Sequence, residues 1–219
     1  MESMILLRHS MLVVLCLATL TSAADQKSVR IHVKESGQTK YFDPRDPPAE
    51  MPSLQPPEAA VTVSVFGCAS QMRVLILDES KEDGNCKATA RIESIEITLN
   101  LDVTIWLPKN PSRKLRIHEN AHKQISKHYF TLGPEVAERL ARPYIGKEIT
   151  GKASDCTQAV DEAIKRTIKE IASRYMAEIE VRAGHAQEAF DEITDHGRND
   201  VKESDAIQQA IERIAQQVR

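Results

Sequence analysis

Apolar and polar residues alternate through KSVRIHVKE (27–35), and the alternation predicts a strand that ends near Gly37. FDPRDPPAEMPSLQPPE (42–58) is too rich in proline to propagate a helix or an interior strand, which predicts a surface linker or extended arm. From Ala59 the period is again two. AAVTVSVFG and MRVLILDE are short apolar runs, KEDGN (81–85) has turn chemistry, and ATARIESIEITLNLDVTIWLP (88–108) alternates for longer than a usual strand, so one bend or bulge is expected in it. After Pro108 the period changes to about 3.6. Leu115, His118, His122, Ile125 and Tyr129 fall on one helical stripe, and PEVAERLARPYIG (134–146) predicts a short helix ended by Pro143 and Gly146. A long helix is expected from about Asp155, with Val160, Ile164, Ile168, Ile171, Tyr175 and Ile179 three or four apart, and a last one over 204–219 begun by Ser204 or Asp205. Strands first and helices after predict an α+β fold, a small antiparallel sheet followed by a helical part. No internal repeat is visible.

Composition narrows this picture. The chain has 219 residues, of which 41% are hydrophobic and 28% charged, with a formal net charge of -3, which suits one domain with a sizeable core. No basic run stands out, so nucleic acid is not an expected partner. Arg8 followed by MLVVLCLATL (11–20) and the small residues of TSAAD (21–25) forms the three-part pattern of a signal peptide over 1–24, cleaved after Ala23 or Ala24. The apolar run is too short to span a bilayer, so no membrane attachment is expected after cleavage. Export to a bacterial periplasm or the extracellular space permits disulfides. With Cys16 removed, Cys68, Cys86 and Cys156 remain. Cys86 opens the long alternating run and Cys156 the long helix, so the expected bridge joins these two and leaves Cys68 free.

The candidate chemistry lies in HENAH, residues 118–122. Histidines four apart on a helix are only about 40° out of register and roughly 6 Å apart along the axis, so two imidazoles can converge on one ion. The expected ion is Zn2+, with Glu119 as the general base that takes a proton from zinc-bound water as it attacks a carbonyl. The string also arises by chance, about once in a hundred or two chains of this length, so the rest of the chain has to support it. Both histidines lie on the apolar stripe, where unpartnered imidazoles carry a desolvation cost that a shared metal removes.

A catalytic zinc keeps three protein ligands and one open position. His128 has the spacing of H-E-x-x-H-x-x-G-x-x-H, but Ile125 stands where that pattern needs glycine; an unbroken helix puts His128 about 120° and roughly 9 Å from His122. FDEITDHG (190–197) offers His196 on a turn beyond the long helix as the expected third ligand. Asp191 or Asp195 could fix a ligating imidazole through its second nitrogen, with Asp191 the favoured one. Tyr129, Tyr144, Tyr175 and His185 are all imaginable electrophilic helpers, and the sequence does not choose among them.

ITLNLDVTIWLP, HENAH, a cysteine opening a long helix, and FDEITDHG together resemble a bacterial family described as secreted zinc-dependent proteases and carrying a domain-of-unknown-function label. The closing motif of that family, an aromatic-Asp pair, a Thr and a His-Gly, is matched by Phe190-Asp191, Thr194 and His196-Gly197, and the resemblance spans roughly residues 60 to 197. Asn120 and Ala121 depart from its commoner acidic or small pair and leave the ligand positions intact. The resemblance implies a zincin-like, zinc-dependent protease domain over 59–219, preceded by a strand and Pro-rich linker over 25–58. The expected activity is a metallopeptidase acting on a protein or peptide substrate. The alternative is a binding protein of the cell envelope, zinc-bearing or metal-free, on the same scaffold.

Overall fold

The computed structural model describes residues 28–54, 56–82 and 84–217, so the expected signal peptide lies outside the described residues. The fold is α+β. Strands β1 (Ser28–Phe42), β2 (Val61–Glu82) and β3 (Asn85–Pro108) lie in the order β1-β3-β2, and a short β4 (Glu148–Ala153) pairs with the first part of β3. Helices α1 (Arg113–Thr131), α2 (Gly133–Ala141), α3 (Cys156–Thr194) and α4 (Glu203–Gln217) complete it, with a 3-10 turn over Arg142–Tyr144 after α2. The sheet is mixed rather than antiparallel, because β1 runs parallel to β3. The proline-rich arm makes the crossing that this pairing requires. Phe42 pairs with Pro108 and Val61 with Trp106, so the arm crosses the C-terminal end of β3 and delivers β2 to the opposite edge. β1 and β2 thus flank β3 and oppose each other in direction. β1 also continues through Gly37 to Phe42 instead of ending there, and β4 was not expected at all.

The expected irregularity of the long alternating run falls at Glu93. Arg73 pairs with Ser94 and Val74 with Ile92, leaving Glu93 as the extra residue, and burial changes phase there from Ala88, Ala90 and Ile92 to Ile95, Ile97 and Leu99. The fully buried face of β3 receives the helices. α1 starts at Ser112, whose Oγ accepts the Leu115 N–H at 3.1 Å, and it buries His118, Ala121, Ile125 and Tyr129. α3 starts at Asp155, whose carboxylate accepts the Gln158 N–H at 2.8 Å, and it buries residues of one stripe from Ala163 through Ile171, Tyr175, Ile179 and Ala183 to Phe190. Its first turns are pinned twice. Gly151 of β4 lies so close that a Cβ there would sit 1.7 Å from the Ala159 carbonyl oxygen, and Cys156 is disulfide-bonded to Cys86, with Cys68 free. The far end of α3 reaches α1, and the site lies there.

Candidate metal centre

α1 and α3 bring three ligand atoms together. His122 Nε2 lies 3.2 Å from His118 Nε2, and Asp191 Oδ1 lies 3.2 Å from His118 Nε2 and 3.0 Å from His122 Nε2. Ligand atoms around a tetrahedral zinc, at Zn–N and Zn–O distances near 2.0–2.1 Å, stand about 3.3 Å apart, so this triangle fits one such ion with a position to spare. Phe190, fully buried, fixes both rings: it stacks on His118 with centroids 5.1 Å apart and meets His122 edge-on at 5.1 Å.

The hydrogen bonds around His122 define its tautomer. Gln187 Nε2 donates to Ser126 Oγ at 2.8 Å, which leaves Gln187 Oε1 as the acceptor for His122 Nδ1–H. Ser126 is tied in turn to Ser64 of β2 at 2.7 Å. The His122 Nε2 lone pair then faces the Asp191 carboxylate, an acceptor against an acceptor, unless a proton or a cation lies between them. Burial works to lower the His122 pKa, but the hydrogen bond and charge of Asp191 outweigh it and raise the proton affinity. Burial likewise works to raise the Asp191 pKa, and the two histidines outweigh it, holding the carboxyl well below the usual range. The shifts of His122 and Asp191 come mainly from the buried contacts between the Asp191 carboxylate and the histidine rings. His118 Nδ1, by contrast, is buried with no hydrogen-bond partner.

Glu119, 4% exposed, lies beside the cluster. Thr62 Oγ1 of β2 donates to its Oε2 at 2.7 Å and to its backbone oxygen at 3.0 Å, fixing the carboxyl against the sheet. Burial raises the Glu119 pKa, while the histidine charges and the Thr62 hydrogen bond pull it back. His118, Glu119, His122 and Asp191 all line one cavity of about 640 Å³, bounded by the N-terminal part of β2, by α1 and α3, and by Pro52 and Pro57 of the arm. The arm is therefore a wall of the site as well as a linker.

Two expectations about the third corner change. Asp191, expected to orient an imidazole from behind, stands in the ligand triangle itself, and the role foreseen for it falls to Gln187. His196 lines the same cavity but is outside the triangle, so the three imidazoles do not converge. The reason is that α3 stays helical through Thr194. Asp191 still points from its last turn, whereas His196 follows in a turn where Asp195, His196 and Gly197 all have positive φ (50°, 51° and 74°). Thr194 Oγ1 accepts the Gly197 N–H at 3.3 Å, and a Cβ on Gly197 would lie 3.0 Å from His118 Cγ and Nδ1. The motif FDEITDHG thus supplies a ring wedge, a carboxylate and a turn that closes over His118. His128, on the exposed side of α1, takes no part. Gln187 and Thr62 escaped the sequence reading. Gln187 precedes Asp191 by one helical turn, a usable signal, whereas Thr62 depends on strand register. Comparison with family models, with curated proteins and with solved structures gives no match.

Proposed function

We propose that this chain is a metal-dependent hydrolase of peptide or amide bonds, with His118, His122 and Asp191 as ligands to Zn2+ and Glu119 as general base. The observation that carries this reading is the triangle of ligand atoms 3.0–3.2 Å apart with a buried carboxyl beside it on the wall of one cleft. Bound there, the ion would supply Lewis acidity, lowering the pKa of a water and polarising a carbonyl. The remaining work falls to the chain. Gln187 holds His122 in the tautomer that presents Nε2, Phe190 fixes both rings, and Thr62 holds Glu119 Oε2, leaving Oε1 to accept a proton. The raised pKa of Glu119 makes it a better proton acceptor than a solvated carboxylate. Among the described residues β2 pairs only with β3, so its other edge is open beside the cleft and suits an extended peptide. A motif helix packed on a sheet supports the zincin-like reading, and the disulfide is consistent with export. No described helix is long and apolar enough to cross a membrane.

Two imidazoles and one carboxylate also make the donor set of Fe(II) oxygenases. The buried Glu119 next to the triangle favours hydrolysis. Glu119→Gln tests the reading: it should keep one equivalent of zinc by metal analysis and lose nearly all cleavage of any peptide that the wild type cuts. Equal turnover by the two proteins would remove Glu119 from the mechanism, and iron in place of zinc would favour the other chemistry.

A further inference from the structure

Beyond the ligand triangle the cleft continues along α3 towards its N-terminus, where Gln187, Gly184, Ala183 and Glu180 line it together with Ser64 and Phe66 of β2. Gly184 lies inside a helix of 39 residues, where glycine costs about 1 kcal/mol relative to alanine. Packing does not require it. A Cβ built on Gly184 meets nothing within 4 Å, unlike one on Gly151 or Gly197, and its φ is not positive. A side chain here would stand in the cleft itself. Ala183 beside it is buried, so on this face α3 is bare between Glu180 and Gln187, which stand about two turns apart. Glu180 is exposed on the cleft and has no ion pair or hydrogen bond among the described residues, whereas Glu178 nearby pairs with Arg139.

We propose that this bare stretch is a recess for one side chain of a peptide lying in the cleft, and that Glu180 selects a long basic side chain, lysine or arginine. The proposal rests on reading the cleft as a peptide site. Gly184 leaves room for the aliphatic stem, with Phe66 and Ala183 as its apolar surroundings, and the Glu180 carboxylate meets the cation at the rim. From Gly184 to Asp191 the helix advances about 10 Å. An extended peptide covers that in about three residues, which sets the selected side chain about three residues from the bond at the metal centre. Because Glu180 is exposed, its attraction is worth at most about fivefold in affinity.

The test separates binding from cleavage. Full-length Glu119→Gln protein, zinc-loaded and immobilised, is offered a random pool of dodecapeptides, and retained peptides are sequenced by mass spectrometry. Lysine and arginine should be enriched about two- to fivefold. Adding Glu180→Lys should replace that enrichment with aspartate and glutamate, and adding Gly184→Leu should abolish selection for large side chains. Gly184→Ala should raise the melting temperature, which shows that the helix tolerates a side chain there. Absence of basic enrichment, or enrichment that persists in both Glu180→Lys and Gly184→Leu, overturns the recess. Wild-type protein is incubated with the same pool. Enrichment without cleavage would overturn the hydrolase and leave the recess standing; cleavage without basic preference would do the reverse.

Discussion

At Asp191 a carboxylate one turn before the helix end stands at the third corner of the triangle, where a histidine beyond the helix was expected. The difference is measurable. Removal of a ligand should cost far more zinc affinity than removal of a residue that only lines the cavity. Asp191→Ala is therefore expected to weaken zinc by more than about 100-fold, and Gln187→Ala, which frees the His122 ring, by about 10–100-fold. His196→Ala should change it less than tenfold. Competition against a chelator of known affinity reads all three, and a larger loss for His196→Ala than for Asp191→Ala would restore the histidine to the ligand set. The sequence carried part of this answer. The convergence of His118 and His122 was legible because residues four apart on a helix face the same way, and Glu119 came with them as the residue between. Asp191 was legible as a neighbour of the histidines but not as the third corner of the triangle. The stripe of α3 runs through Ile179, Ala183 and Phe190 to Thr194, and following it to its end shows the helix still intact at Asp191. Thr62 could not be found, because its partner is set by how β2 lies over α1.

Among the elements, local pattern sufficed wherever burial was one-sided and long. The phase change at Glu93, from inward even positions to inward odd ones, was written in β3, and so was the stripe of α1. β4 alternates, with 148, 150 and 152 exposed, but its one buried position is Gly151, so only Ile149 and Ala153 mark the inward face, too little to stand out in the sequence. The parallel pairing of β1 was illegible for another reason: a proline-rich arm can return a chain to either edge of its neighbour, and only packing decides. Gly151 shows how much depends on the missed strand. Its missing Cβ lets β4 lie directly against the first turns of α3, so Gly151→Ala drives a methyl into the Ala159 carbonyl, with backbone on both sides and nothing flexible to yield. We expect a loss of about 3 kcal/mol or more in urea unfolding, the upper end for overpacking. A change under about 1 kcal/mol would mean that β4 can lift away and does not anchor α3.

For the molecule as a whole, α3 is a strut that separates the disulfide-pinned end of the fold from the candidate metal centre. Cys156 opens the helix and Asp191 lies in its last turn, about 50 Å away along the axis at 1.5 Å per residue. The Cys86–Cys156 bridge spans 70 positions of sequence, a stretch that carries most of β3, all of α1 and α2, and β4. In the chain-entropy account a loop of that size removes about 4 kcal/mol of freedom from the unfolded chain. For a chain of this length that corresponds to roughly 8–16 °C in melting temperature. The bridge touches none of the residues around His118, His122 and Asp191, so its contribution should be global. The double variant Cys86→Ser, Cys156→Ser is expected to melt lower by that amount in calorimetry. At temperatures where it remains folded, it should bind zinc within about threefold of the wild type. An unchanged melting temperature would show that the unfolded chain is already constrained without the bridge. Loss of zinc from a fully folded variant would mean that strain at one end of α3 reaches the other, and that the strut is part of the site.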